Sequence, residues 1–307
     1  MQVVILERNK LVARKVARLF MAMGASAVTV DDPAAVPAVL DGAHVLCADT
    51  FDGELVAEQT RVRPGLHGVL WTAEPLRRSL RYLVETPAID HVLGRPSFEL
   101  PPRGAELLMV ARRLQDQVVT PPLAAYLDWG FTVVDIELRA TADRDLAAAR
   151  IQDFVGSLAM PKRIGDMFAE LAHELIMNAM YGAPVDREGR PRYAADRRAV
   201  IVLDEQERPT LRVASDGVRL ALQIRDPFGR LERRHVFEGL SRGLSGGELD
   251  RSHGGAGLGM LVCHNASTAL FFDVAVNRYT EVTALFELDT NLRELRTRAK
   301  SLHFWSH

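Results

Sequence analysis

Five short apolar runs recur at regular intervals over the first 118 residues: VVILE (3–7), AVTV (27–30), HVLCA (44–48), GVLWT (68–72) and HVLG (91–94). Between the first two, the segment 9–23 spaces Leu11, Val12, Val16, Leu19 and Phe20 at helical intervals, and Gly24 closes it. Strands alternating with amphipathic helices are the pattern of a parallel sheet with crossover helices. Residues 1–118 are therefore expected to form an α/β domain around a five-stranded parallel sheet. Only 52–64 leaves helix and loop hard to separate.

The pattern breaks in QVVTPPLAAYLD (117–128), where a Pro-Pro pair interrupts helical periodicity. A linker over 119–130 is expected there. A second pattern opens with the alternating strand FTVVDIEL (131–138). Helices follow at 142–157 and 163–181, then strands at 198–203, 209–214 and 218–225. After a polar segment at 230–253 come a helix near 257–266 and strands at 269–276 and 280–288. This order predicts a second domain over 131–289, an α/β sandwich with helices on one face of a mixed, largely antiparallel sheet. The tail, 290–307, reads as a basic helix carrying Leu292, Leu295, Leu302 and a terminal Phe-Trp pair.

A length of 307 residues suits two domains, and 48% hydrophobic residues supply two cores. The 38 Lys+Arg nearly balance the 40 Asp+Glu, so the whole chain has no pull toward nucleic acid. No apolar run approaches the roughly 20 residues of a membrane helix. The amino-terminal charges follow the apolar run instead of preceding it, the wrong order for a signal peptide. Cys47 and Cys263 lie far apart, each in a core-like segment, which suits a reducing compartment. A cytoplasmic globular protein is expected.

The chemistry concentrates in the second domain. In AELAHELIMNAMYGAP, Glu174 and Asn178 stand four apart and share a helical face. An amide oxygen suits a hard Mg²⁺ ion already surrounded by phosphates, while a carboxylate can take a proton. In RLALQIRDPFG (219–229) a strand runs into Asp226 and Gly229. A carboxylate there can accept from the amine of adenine, and the glycine lets backbone approach a base. GGAGLGM (254–260) then opens an apolar helix, exposing N–H groups to phosphate at a helix N-terminus. It is neither a dinucleotide fingerprint nor a P-loop.

Taken in order, these elements resemble the GHKL superfamily of histidine kinases, anti-sigma serine kinases, gyrase and Hsp90. Glu174 to Asn178 match its N box, Asp226 and Gly229 its G1 box, and Gly255, Gly257 and Gly259 its G2 box. Thr280 in YTEVTALFEL resembles the threonine opening its final strand. The resemblance implies a Bergerat-type fold that binds ATP and Mg²⁺, with Asn178 on the metal and 230–253 as a lid in which Arg251, Ser252 and His253 adjoin the glycines. Two departures stand out: Asp226-Pro227-Phe228-Gly229 replaces DxGxG, and Tyr181 or Gly182 occupies a position often Lys or His. No dimerising hairpin with a phospho-accepting histidine fits in 117–130, and His173 reads as a helix-surface residue. The remaining relatives are stand-alone anti-sigma serine kinases, in which a glutamate at the position of Glu174 is the proposed base toward a partner serine. The alternative is a non-catalytic module that regulates by protein–protein interaction.

The first domain is similar to the receiver domain of response regulators, which implies a flavodoxin-like fold. Asp49 ends the third strand at the phospho-acceptor position, Thr72 the fourth, and Arg95-Pro96 follows the fifth where Lys-Pro is usual. Glu7 is followed by Arg8 where an acidic pair is usual. Arginine is not an equivalent point charge to lysine, so a pseudo-receiver is expected and Asp49 is a weak acceptor. The combination implies signalling-protein partners and a homodimer.

Overall fold

The computed structural model describes residues 1–116, 120–244, 256–289 and 291–307, and divides into two compact units. The first comprises Met1–Pro121 with Arg296–His303, the second Pro122–Leu295 with Phe304–His307.

In the first unit, β1 (Gln2–Leu6), α1 (Lys10–Ala22), β2 (Ser26–Val30), α2 (Val36–Val39), β3 (Val45–Asp49), α3 (Gly53–Val62), β4 (His67–Thr72), α4 (Leu80–Glu85), β5 (Ile89–Gly94) and α5 (Gly104–Asp116) follow in turn. The strands pair in parallel as β2-β1-β3-β4-β5. This is the doubly wound order whose ligand crevice lies beyond the carboxyl ends of the strands. Central strands β1 and β3 are buried almost throughout, as strands covered on both faces must be. Asn9 caps α1 by accepting from Leu11 N at 3.0 Å and Val12 N at 3.3 Å. The ambiguous stretch 52–64 is mostly helix α3.

In the second unit the elements are β6 (Thr132–Glu137), α6 (Asp143–Ser157), α7 (Lys162–Met177), β7 (Thr210–Ser215), β8 (Arg219–Asp226), α8 (Arg233–Leu244), α9 (Ala256–Asn265), β9 (Ala269–Ala275) and β10 (Tyr279–Glu287). The strands pair antiparallel throughout, in the order β9-β10-β8-β7-β6. Helix α7 packs on α6, α9 and β8, burying Ile164, Phe168, Leu171, Leu175 and Ile176 along one side.

Three expectations require correction. The strand expected at 198–203 begins in a turn and bend at 198–199 and carries a single bridge, Ala140 to Val202. Its backbone bonds go to a short stretch at 139–141, with Leu203 N donating to Arg139 O at 2.8 Å and Thr141 N to Ile201 O at 3.0 Å. Part of the polar span 230–253 is helix α8, because Val236, Phe237 and Leu240 recur at helical spacing and are buried.

The third correction concerns the tail, which is not a helix but ends in strand β11 (Ser301–Ser306). Leu302 and His303 pair antiparallel with Val92 and His91 in the first unit. Within the second unit, His307 N donates to Val274 O at 3.0 Å, and the Phe304 ring lies 5.9 Å from Phe237 and 6.4 Å from Phe272. The consecutive residues Ser301 to Phe304 are all buried, which rewards an extended chain more than a helix.

Candidate functional site

Asp226 is the last residue of β8, and β10 brings Thr280 directly opposite it. Both are buried, at 7% and 4% exposure. Burial pushes the Asp226 carboxyl up to about 6, against backbone N–H groups of Phe228 and Gly229 and the nearby Thr280 hydroxyl, which favour the ionised form. Phe228 N donates to Asp226 Oδ1 at 2.9 Å. The Thr280 hydroxyl is close enough to favour the carboxylate, yet among the described residues it has no partner at full hydrogen-bond geometry.

Gly229 closes this turn at φ +64°, where a Cβ would stand 2.1 Å from Ala275 O. Only glycine allows that approach. Gly229 O accepts from Asn277 N at 3.2 Å, tying the turn to the β9–β10 connection. The Asp226-Pro227-Phe228-Gly229 turn thus has its glycine at the point of tightest contact.

Glu174 and Asn178 lie at the end of α7, half-buried, and His173 is exposed as expected. The α-helix then widens into a π-helical turn, Asn178–Gly182, closed by Ala183 N donating to Asn178 O at 2.9 Å. Such turns frequently mark functional positions, and nothing in the sequence announced it. This turn packs on β8. Neither the Glu174 carboxylate nor the Asn178 amide makes a hydrogen bond or ion pair among the described residues. Tyr181 is buried and donates to Ala199 O at 2.7 Å, so its role is to pin the segment after the turn.

Gly259 in α9 is buried against Glu174: a Cβ there would stand 2.4 Å from Glu174 Oε2. Glu174 also helps burial raise the Cys263 thiol. Gly257 lies in the first turn of α9, while Gly255, Arg251, Ser252 and His253 fall outside the described residues. The second unit therefore brings Glu174 to Gly259, and the Asn178 turn to the strand that ends in Asp226.

In the first unit the carboxyl ends of the parallel strands gather Glu7, Asp49, Thr72 and Arg95, all buried. Arg95 reaches Glu7 Oε2 at 3.0 Å and Asp49 Oδ2 at 2.6 Å. Glu7 Oε1 accepts from Asn9 N at 3.0 Å and Asp49 Oδ1 from Phe51 N at 3.0 Å. Burial raises the Asp49 carboxyl, opposed by the Phe51 N–H and Arg95. Arg8 holds Asp52 through two bonds, at 2.5 and 2.9 Å. The Arg8–Asp52 pair escaped the sequence reading, although Arg8 beside Glu7 was its signal. Thr72 Oγ1 accepts from Glu74 N at 2.9 Å and so shapes the turn after β4. Both cysteines are buried and free, and among the described residues no helix is long and apolar enough to cross a membrane.

No family model matches this chain, and no curated protein matches it. Solved structures do. The signal receiver domain of an HD domain-containing protein from Pseudomonas fluorescens Pf-5 is 13% identical, over 38% of this chain and 94% of that one, with a TM-score of 0.34. The response regulator DrrB of Thermotoga maritima is 17% identical over 38% of this chain and 52% of its own, with a TM-score of 0.33. A CheY-like receiver domain protein from Methanospirillum hungatei JF-1 is 14% identical over 38% and 94%, with a TM-score of 0.32.

Proposed function

We propose that the second unit binds ATP with Mg²⁺ and that the protein is a signalling protein acting on a partner protein. The observation that carries this reading is the buried Asp226–Thr280 pair: a carboxylate and a hydroxyl, side by side, at the end of a strand. Such a pair fits the polar edge of adenine, whose exocyclic amine donates to the carboxylate. Gly229 lets the backbone approach the base. Asn178 would hold the Mg²⁺ together with the phosphates, and Gly257 in the first turn of α9, with Gly255 ahead of it in the sequence, would leave room for phosphate at the helix N-terminus, while Gly259 lets that helix lie against Glu174.

Glu174, one turn from Asn178 and without a hydrogen-bonding partner among the described residues, is the candidate base. It would take the proton of a serine or threonine hydroxyl on the partner as that oxygen receives the γ-phosphoryl group and ADP leaves. A homodimer, as anti-sigma-type relatives suggest, belongs to this reading.

A second reading is a non-catalytic module that regulates by binding a partner. It draws on the Asp226–Gly229 turn, in which the Phe228 N–H already satisfies one oxygen of the carboxylate. Calorimetric titration with Mg-ATP tests the first reading: wild type binds and Asp226→Asn does not. Absence of binding by wild type leaves the second. Loss of ATP consumption against a partner in Glu174→Ala, with Mg-ATP binding retained, would separate a kinase from a nucleotide-gated scaffold.

A further inference from the structure

Acidic sites at the carboxyl ends of parallel strands take up a divalent cation by turning carboxylate oxygens toward it. In the first unit those oxygens are already committed. Glu7 gives Oε1 to Asn9 N and Oε2 to Arg95, and Asp49 gives Oδ1 to Phe51 N and Oδ2 to Arg95. Arg8 engages both oxygens of Asp52. The side chains present do not fit a divalent ion.

A guanidinium is a rigid fork that stays charged at every accessible pH. Arg95 points that fork at two carboxylates from two different strands, and only 4% of it is exposed. The Phe98 ring covers its outer side, 5.2 Å from the guanidinium carbon, and itself rests 5.3 Å from the Phe51 ring. A cation reaching Asp49 would have to break its buried pair with the guanidinium and set a second positive charge beside Arg95, which is strongly unfavourable.

We propose that Arg95 is the resident counter-cation of this unit, in the place a divalent ion would take, so that the unit keeps one charge state and one conformation whether or not Mg²⁺ and a phosphodonor are present. It then serves as a fixed element, not as a phosphorylation switch. The proposal is independent of nucleotide binding by the second unit.

The test uses the full chain without nucleotide. Thermal unfolding is followed in chelator and in millimolar Mg²⁺, and the intact mass is taken after incubation with a small acyl phosphate. Wild type is expected to show neither a Mg²⁺-dependent shift nor phosphate on Asp49. Arg95→Gln should unfold about 10 °C lower in chelator and recover part of that loss in Mg²⁺, with the recovery abolished by adding Glu7→Gln and Asp49→Asn. A Mg²⁺ shift in wild type that Glu7→Gln removes, phosphate on wild-type Asp49, or an Arg95→Gln protein as stable as wild type would each overturn the proposal. Should Arg95→Gln fail to fold, the two wild-type readouts decide alone. Both readouts concern carboxylates of the first unit and are taken without nucleotide, which keeps the outcome separate from that of the ATP reading.

Discussion

Thr280 on β10 stands opposite Asp226 on β8, and the sheet buries both so that the Asp226 carboxyl rises to about 6. The unfolded chain loses this proton near the ordinary value of 3.8, while the folded chain keeps it to about 6. Stability from this group is therefore present at low pH and falls as pH rises from about 4 to about 6, by about 3 kcal/mol. Asp226→Asn lacks that loss. It should unfold at a higher temperature than wild type at pH 8, with the gap closing toward pH 4.5, while Mg-ATP binding disappears. A gap that stays constant across this range would count against a buried, proton-holding Asp226.

Gly229 is held at φ +64° with the backbone of the β9–β10 connection against its Cα. Gly229→Ala must push Ala275 O away or abandon the turn, and backbone cannot yield as a side chain does. A loss of about 3 kcal/mol or more is expected in denaturant unfolding, with nucleotide affinity falling alongside.

Gly259 offers the opposite case, because the atom its Cβ would meet is the far end of the Glu174 side chain. Gly259→Ala should change stability by less than about 1 kcal/mol while displacing the carboxylate. Mg-ATP binding measured calorimetrically should persist, and ATP consumption against a partner should drop as in Glu174→Ala. Combining the two substitutions should add nothing, since both act on one group.

Ser301 accepts from Gly94 N at 2.9 Å and donates to the buried carboxylate of Glu106. Ser301→Ala removes a partner from both, and about 2 kcal/mol of stability should go with it. Gly94→Ala should be worse, since its Cβ would meet Ala299 O at 2.7 Å. Thermal unfolding of both variants checks the ranking.

Much of the fold was legible because its signals are local. Strand–helix alternation in 1–118 and the apolar faces of α1 and α7 are periodicities that backbone geometry alone imposes. The order of Glu174, Asn178, Asp226, Gly259 and Thr280 was legible too. What escaped were features settled by partners distant in sequence. Residues 198–203 read as a strand by composition, yet the chain they meet at 139–141 is short. In the tail, basic residues with Leu292, Leu295 and Leu302 suggested a helix, while β5 draws Leu302 and His303 into an extended strand.

By itself the sequence determined most of the segments that are helix or strand and offered the candidate groups for chemistry, because residue type and hydrophobic period are properties of neighbours along the chain. Only the tertiary structure decided what those groups touch. It set Thr280 against Asp226, laid Glu174 on Gly259, and closed Arg95 between Glu7 and Asp49. The reason is that charge compensation and close packing depend on distance in space, and residues 88 and 46 positions apart become ion-pair partners only once a sheet brings their strand ends together.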